Sequence, residues 1–159
     1  MTRRPLLALL CTLGLAPRLS NAQGPSGAVK VEPLRLSDAQ WKARLTPDQY
    51  AVLRQEGTER PFTSPLNDEH RQGRFHCAGC DLALFSSTTK FDSGTGWPSF
   101  YAAVPDAVVT KTDFKLIVPR TEYHCARCAG HQGHVFDDGP KPTGKRYCNN
   151  GVALKFVPA

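Results

Sequence analysis

A six-residue pattern, aromatic-His-Cys-Ala-x-Cys, is written twice in this chain, as Phe75-His76-Cys77-Ala78-Gly79-Cys80 and as Tyr123-His124-Cys125-Ala126-Arg127-Cys128. A Cys-x-x-Cys turn brings two thiols to one side of a tight loop. Two such turns can close a tetrahedral four-sulfur site around Zn2+. The 44 residues between the pairs exceed the gap of about 15–20 in a compact zinc ribbon. One ion held by Cys77, Cys80, Cys125 and Cys128 would therefore staple distant parts of the fold and contribute directly to folding. Four thiolates leave no open position for a substrate, so the site is structural in kind. The competing readings are a disulfide within each pair and a thioredoxin-type redox centre, the latter disfavoured where no βαβ pattern surrounds the pair. His76 and His124 are read as packing or supporting residues.

The surrounding sequence predicts a mainly β domain. Ser37-Asp38-Ala39-Gln40 and Thr46-Pro47-Asp48-Gln49 are capping-box patterns that predict two short helices. Tyr50, Val52 and Leu53 form an apolar stripe on the second, and Gly57 is its expected stop. From Gly73 onward the pattern is one of strands. Residues 114–118 are predicted as a strand, paired with 107–109 across a turn at 110–113, and residues 152–157 as another. No helix of useful length separates these segments, so an antiparallel sheet is expected with the helices at its N-terminal edge.

Residues 1–22 have the form of an export signal: Arg3 and Arg4, an apolar run over 6–15, then Ser20-Asn21-Ala22 as a cleavage region. The run is shorter than the roughly 20 residues needed to span a bilayer. Thr2-Arg3-Arg4-Pro5-Leu6-Leu7 resembles a twin-arginine signal, which carries folded cargo. Export to a bacterial periplasm is the expectation. Mitochondrial targeting is the alternative, since no acid precedes Glu32. Residues 23–36 read as a linker and 37–159 as one domain of ordinary size. Removing the leader takes Arg3, Arg4 and Arg18 and no acid, lowering the formal charge from +6 to +3. That modest charge argues against a nucleic-acid partner, and no second apolar stretch implies stable membrane association.

Cys148 is left without an obvious partner. Residues 145–150 are predicted to enter a strand after the turn at 141–144, with Arg146, Cys148 and Asn150 on one face and Tyr147 and Asn149 on the other. A guanidinium beside a thiol favours the nucleophilic thiolate. Upstream, His131 and His134 flank Gly133, and Asp138 is a candidate to orient one of them. Such a pair can carry protons to and from a thiol. The alternatives are an inert buried cysteine and a second metal site.

Gly96-Trp97-Pro98-Ser99-Phe100, His131-x-Gly133-His134-Val135-Phe136-x-Asp138-Gly139-Pro140 and Arg146-Tyr147-Cys148-x-Asn150 together resemble the three signature blocks of the type B methionine sulfoxide reductases. The likeness spans residues 38–158, and the two Cys-x-x-Cys pairs stand where zinc-containing members carry theirs. It implies two antiparallel sheets in a barrel-like arrangement with a four-cysteine zinc staple. By resemblance, Cys148 is the nucleophile that attacks the sulfoxide sulfur. Trp97 is the wall that receives the substrate methyl group, with Phe100 beside it. His131, His134 and Asn150 bind and protonate the sulfoxide oxygen, and Arg146 and Asp138 shape and polarise the pocket. The implied activity is reduction of methionine-R-sulfoxide in proteins or peptides by a monomer using no organic cofactor. A Cys148 sulfenic acid is then recycled by a thiol, such as a thioredoxin-like protein.

This sequence departs from the family at Thr95, where many members carry a resolving cysteine. A one-cysteine cycle follows, with an external thiol attacking the sulfenic acid; the rival is resolution by a zinc-site cysteine. Gln132 replaces a common Leu, and Gly151 a frequent Ser. The strongest different class is a non-catalytic zinc module of similar architecture, which would not need Cys148, Trp97 and the histidines together. A nucleic-acid-binding zinc ribbon fits the long gap and modest charge less well.

Overall fold

Both capping boxes form, and they fix where the two helices begin. In the computed structural model, which describes residues 31–115 and 118–159, helix α1 spans Asp38–Arg44 and α2 spans Pro47–Gln55. Ser37 Oγ accepts the Gln40 N–H while Gln40 Oε1 accepts the Ser37 N–H, and Thr46 and Gln49 repeat the exchange. Trp41, Val52 and Leu53 are buried. The stop differs from expectation. Glu56, not Gly57, takes the left-handed conformation at φ 55°, and its carboxylate is held there by Lys111 and Lys115. Those ammonium groups lower its pKa to about 2.

Nine strands follow among the described residues: β1 Gly73–Cys77, β2 Ala83–Ser86, β3 Lys90–Phe91, β4 Ser99–Phe100, β5 Val108–Asp113, β6 Arg120–Cys125, β7 His131–Phe136, β8 Arg146–Asn149 and β9 Leu154–Pro158. They make two antiparallel sheets, one ordered β2-β1-β9 and the other β3-β4-β8-β7-β6-β5. An aromatic cluster fills the core. Phe85 stacks on Phe100 at 4.2 Å, Phe75 meets Phe100 edge-on at 4.9 Å, and Tyr123 meets Tyr147 at 5.3 Å. Full burial of each large apolar side chain is worth roughly 1.5–3 kcal/mol.

The strand expected over 114–118 is corrected. Residues 110–113, assigned to a turn, belong to β5, and Phe114, Lys115 and Val118 lie outside any strand. The partner of Val108 and Val109 is the Cys125–His124 segment of β6. Thr110 and Thr112 supply β-branched strand residues, and Arg120 pairs with Asp113 at 2.7 Å to close the connection. The last strand begins two residues later than expected, after a 3-10 turn over Gly151–Ala153. Of the segment read as a linker, residues 31–36 carry no helix or strand but dock on the domain. The Leu34 N–H donates to Arg127 O at 2.7 Å, and Leu34 and Leu36 pack against the core. The leader over 1–22 lies outside the described residues.

Candidate active site

Residues three apart in a regular strand face opposite ways, yet His131 and His134 stand together with ring centroids 5.7 Å apart. The cause is a bulge. Register between β6 and β7 shifts so that Tyr123 faces Gly133 while His124 faces His131, leaving Gln132 as the extra residue. One added residue restores parity and sends both imidazoles to the same side. Gly133 is required beside it, because a Cβ there would lie 1.9 Å from the Cys148 carbonyl oxygen.

One cross-strand row then carries the polar residues. Ser99 on β4 faces Cys148 on β8, Cys148 faces His134 on β7, His134 faces Glu122 on β6, and Glu122 faces Lys111 on β5. Residues directly opposite share a face of the sheet. A cavity of about 120 Å3 opens over this row, lined by Thr58, Trp97, Arg120, Gly133, His134, Phe136, Cys148, Asn149 and Asn150. A larger groove of about 720 Å3 beside α2 and residues 57–66 does not reach Cys148.

Each imidazole is held by a carboxylate that sequence reading did not single out. His131 Nδ1 lies 2.8 Å from Glu122 Oε1, and His134 Nε2 lies 2.8 Å from Asp113 Oδ2. Burial lowers the pKa of His131 despite Glu122. The Asp113 carboxylate is held far below the usual range by the Lys115 backbone N–H, then by His134 and Arg120. With Nε2 turned to the Asp113 carboxylate, the other ring nitrogen of His134 is Nδ1. His131 stands behind it and does not line the cavity.

Asp138 was expected to orient a histidine; instead it grips Arg146, with Nε and Nη2 each donating at 2.8 Å to its two oxygens. The guanidinium also lies over the Phe136 ring at 4.4 Å. Much of the field of Arg146 is thereby offset by Asp138. Burial accordingly raises the pKa of the Cys148 thiol, with Arg146 and the Thr95 hydroxyl pulling it back in part. Arg146 thus acts in the direction read from the sequence, favouring the thiolate, while burial opposes it with the larger effect.

Glu59 ties the cavity wall to the end of β8. Its carbonyl accepts from Trp97 Nε1 at 3.2 Å, its N–H donates to Asn150 Oδ1 at 3.0 Å, and its carboxylate accepts from the Gly151 and Val152 N–H groups. Asn150 Nδ2 donates to Gln132 O at 2.9 Å. The Asn150 amide thus lines the cavity with both ends engaged by backbone. Gly151 has no room for the serine frequent in relatives: a Cβ would sit 1.9 Å from Ser64 Oγ.

The repeated cysteine pattern folds as two matching turns. Cys77 N–H donates to Leu82 O and Cys125 N–H to Gly130 O; Asp81 N–H returns to Cys77 O and Ala129 N–H to Cys125 O. Asp81 and Ala129 are both left-handed, at φ 66° and 55°. The four sulfurs lie within 4.8 Å of one another, all buried. No disulfide joins them; Cys77–Cys128 and Cys80–Cys125 sulfurs approach to 3.6 and 3.4 Å. Such a cluster of soft donors suits a structural metal ion. His76 Nδ1 turns away to Asp81, so it supports a turn and is not a ligand. Gln132 is buried with its Nε2 donating to Cys77 Sγ at 3.4 Å.

The SelR domain family matches residues 45–158, which is most of the chain. The chain belongs to the SelR family. Over 123 residues this SelR chain is 55% identical to "Peptide methionine sulfoxide reductase MsrB" of Thiobacillus denitrificans, covering 77% of this chain and 93% of that one. It is 57% identical over 120 residues to the protein of the same description from Pseudomonas putida, covering 75% and 90%. It is 52% identical over 142 residues to "Peptide methionine sulfoxide reductase B1, chloroplastic" of Arabidopsis thaliana, covering 89% and 69%. Among solved structures, the Mis18 "Yippee-like" domain overlaps 56% of this chain and 98% of its own, with TM-score 0.44 and 18% identity.

Within the SelR domain, Cys148, His134, Trp97 and Asn150 meet at one cavity, with Arg146 and Asp138 paired beside Cys148. Phe100, like His131, does not line that cavity. It is fully buried and stacked on Phe85, because strand alternation turns Ser99 toward Cys148 and Phe100 toward the core. Sequence reading missed Thr58, Glu59, Asp113, Arg120 and Glu122. The signal for Glu122 was present: an acid between aromatic and β-branched residues of a buried strand needs a partner.

Proposed function

We propose that this chain reduces methionine-R-sulfoxide in proteins or peptides to methionine, with Cys148 as the oxygen acceptor. The observation that carries the reading is the cavity over Cys148, walled by Trp97 and carrying His134 directly across from the sulfur. Its 120 Å3 is room for about four water-sized groups, which matches the CH2–SO–CH3 tip of the oxidised side chain. Trp97 takes the methyl group, and the sulfoxide oxygen lies toward His134 and Asn150. Sulfoxide oxygen leaves poorly until protonated, so His134, directly across from Cys148, is the acid. The Cys148 sulfur attacks the sulfoxide sulfur as the proton arrives. In net terms the methionine S–O bond breaks, a Cys148 S–O bond forms, and two electrons pass from cysteine to methionine. The products are methionine and a Cys148 sulfenic acid.

Thr95 supplies no second thiol, and the other four described cysteines are the buried cluster. An external thiol therefore attacks the sulfenic acid, releasing water and leaving a mixed disulfide. A second thiol equivalent, or the second thiol of a thioredoxin-like protein, restores Cys148 and leaves with the oxidising equivalents as its own disulfide. The four-cysteine cluster holds Zn2+, which fixes the ends of β1 and β6 and takes no part in the transfer. The N-terminal extension acts as a targeting leader.

Steady-state assay of the two sulfoxide epimers in a blocked methionine peptide, with dithiothreitol as reductant, tests this reading. The R epimer is reduced and the S epimer is not. Preference for S, or no turnover by zinc-loaded protein, contradicts it and leaves the non-catalytic zinc module.

A further inference from the structure

A methionine sulfoxide within a protein carries main chain on both sides, and the 120 Å3 cavity over Cys148 has room only for its side-chain tip. The neighbouring main chain must therefore lie on the surface around the mouth. The groove of about 720 Å3 beside α2 stops short of Cys148 but meets the cavity at Thr58, which is exposed and lines both. The floor of the groove is apolar. Val52 and Leu154 are buried there, and Leu66 and Val152 are partly buried against the core. Its rim carries one acid, Asp48, and one base, Arg60. The Glu59 carboxylate in its wall is taken up by the Gly151 and Val152 N–H groups. An apolar floor under a charge-balanced rim suits an uncharged, extended polypeptide.

Groove and cavity are also one rigid piece. The wall between them is the segment 58–67, and it is fastened on both sides. Toward the cavity, Trp97 Nε1 donates to Glu59 O at 3.2 Å, and Gly96 O accepts from the Phe62 N–H at 2.7 Å and from Asn67 Nδ2 at 3.1 Å. Toward the groove, the Val152 N–H donates to Glu59 Oε2 at 2.9 Å. A chain that crosses this wall meets a formed surface and has no loop to order, which lowers the entropic cost of binding.

We propose that the groove beside α2 is the subsite for the polypeptide on one side of the oxidised methionine. That polypeptide leaves the cavity over Thr58 and lays an apolar neighbouring residue on Val52, Leu66 and Val152. The proposal rests on the cavity over Cys148 being the sulfoxide site. An oxidised methionine in an extended segment then fills both compartments, whereas the free amino acid fills only the first.

Binding to the zinc-loaded full chain carrying Cys148→Ser, which leaves the sulfoxide intact, is followed by the fluorescence of Trp97 in the cavity wall. The ligands are a blocked methionine-R-sulfoxide residue and the same residue extended by a short leucine-containing segment on its N-terminal or its C-terminal side. One of the two extensions is expected to tighten binding by about tenfold, the scale of burying one apolar side chain. Ala51→Phe, which fills the groove from α2, removes that gain and leaves the blocked residue bound as before. Thr63→Phe, filling it from the opposite rim, does the same, and decides alone if circular dichroism shows Ala51→Phe to be unfolded. A gain that survives the filled groove overturns the proposal. So does the absence of any gain, as when a second copy or the N-terminal residues of the chain itself occupy the groove. Either result, with the blocked residue still bound, leaves the sulfoxide site standing. Failure of the blocked residue to bind at all removes that site and the subsite with it.

Discussion

Cys148→Ser is expected to abolish sulfoxide reduction, a loss of roughly 10^4-fold or more, while the domain stays folded and metal-loaded. The chemistry explains why the loss is near total. The oxygen leaving methionine must be taken by an atom that can be oxidised, and a serine oxygen cannot form the equivalent of a sulfenic acid. Serine is also far less nucleophilic than a thiol near neutral pH. The fold has little stake in the exchange. The side chain is half-buried at the cavity edge, and neighbouring polar groups, Thr95 and Arg146, can meet a hydroxyl there. Leaving a buried hydroxyl unsatisfied costs about 1–3 kcal/mol at most on mutational scales. Thermal melts should therefore move by a few degrees, and bound metal should remain at the wild-type level. An active Cys148→Ser enzyme would show that sulfur at this position does not take the oxygen.

Loss of the ion, or of one of its ligands, is expected to act in the opposite way, through the fold first. The four sulfurs join the turn after β1 to the turn after β6, separated by 44 residues of sequence. Helix α2 is fastened to the same place, where Arg54 donates to Cys128 O at 2.8 Å and Gly130 packs under Leu53. Structural zinc contributes about 10–16 kcal/mol of apparent binding energy in small metal-dependent domains. Whole domains are stable by only about 5–15 kcal/mol. Removing the ion therefore exceeds the margin. Cys125→Ser should purify with substoichiometric metal and show no cooperative thermal transition, and prolonged chelation should bring the wild type to the same state. A Cys125→Ser protein with a wild-type melt would mean that the aromatic core alone carries the fold.

These two cysteines show how much was legible before the structure. The ligand turns were, because a repeated local pattern dictates a repeated local geometry: both turns use the same hydrogen bonds and the same left-handed residue after the second cysteine. The helix starts were legible for the same reason, since a capping box is complete within four residues. What escaped were features set by register. The convergence of His131 and His134 was legible from their placement around Gly133, but the bulge at Gln132 that produces it was not. The carboxylates that hold them, Glu122 and Asp113, come from neighbouring strands. Asp138, close in sequence to His134, points instead at Arg146. Phe100 fell on the wrong side because a signature block was read as a unit, while strand alternation splits it into Ser99 facing the thiol and Phe100 facing the core. The strand misplaced over 114–118 was an apolar run that outcompeted the polar but β-branched residues of β5, whose exposed face needs no hydrophobic pattern. Burial of Cys148 is a tertiary property as well, and it opposes the pull of Arg146 toward the thiolate.

The most direct test of the account is a single turnover without reductant. Zinc-loaded protein is mixed with one equivalent of a methionine-R-sulfoxide peptide, trapped with dimedone, and mapped by peptide mass spectrometry. The account predicts one methionine formed per chain, the dimedone adduct on Cys148 alone, and Cys77, Cys80, Cys125 and Cys128 unmodified. A disulfide between Cys148 and any of those cysteines, or methionine formed with Cys148 still reduced, would contradict it.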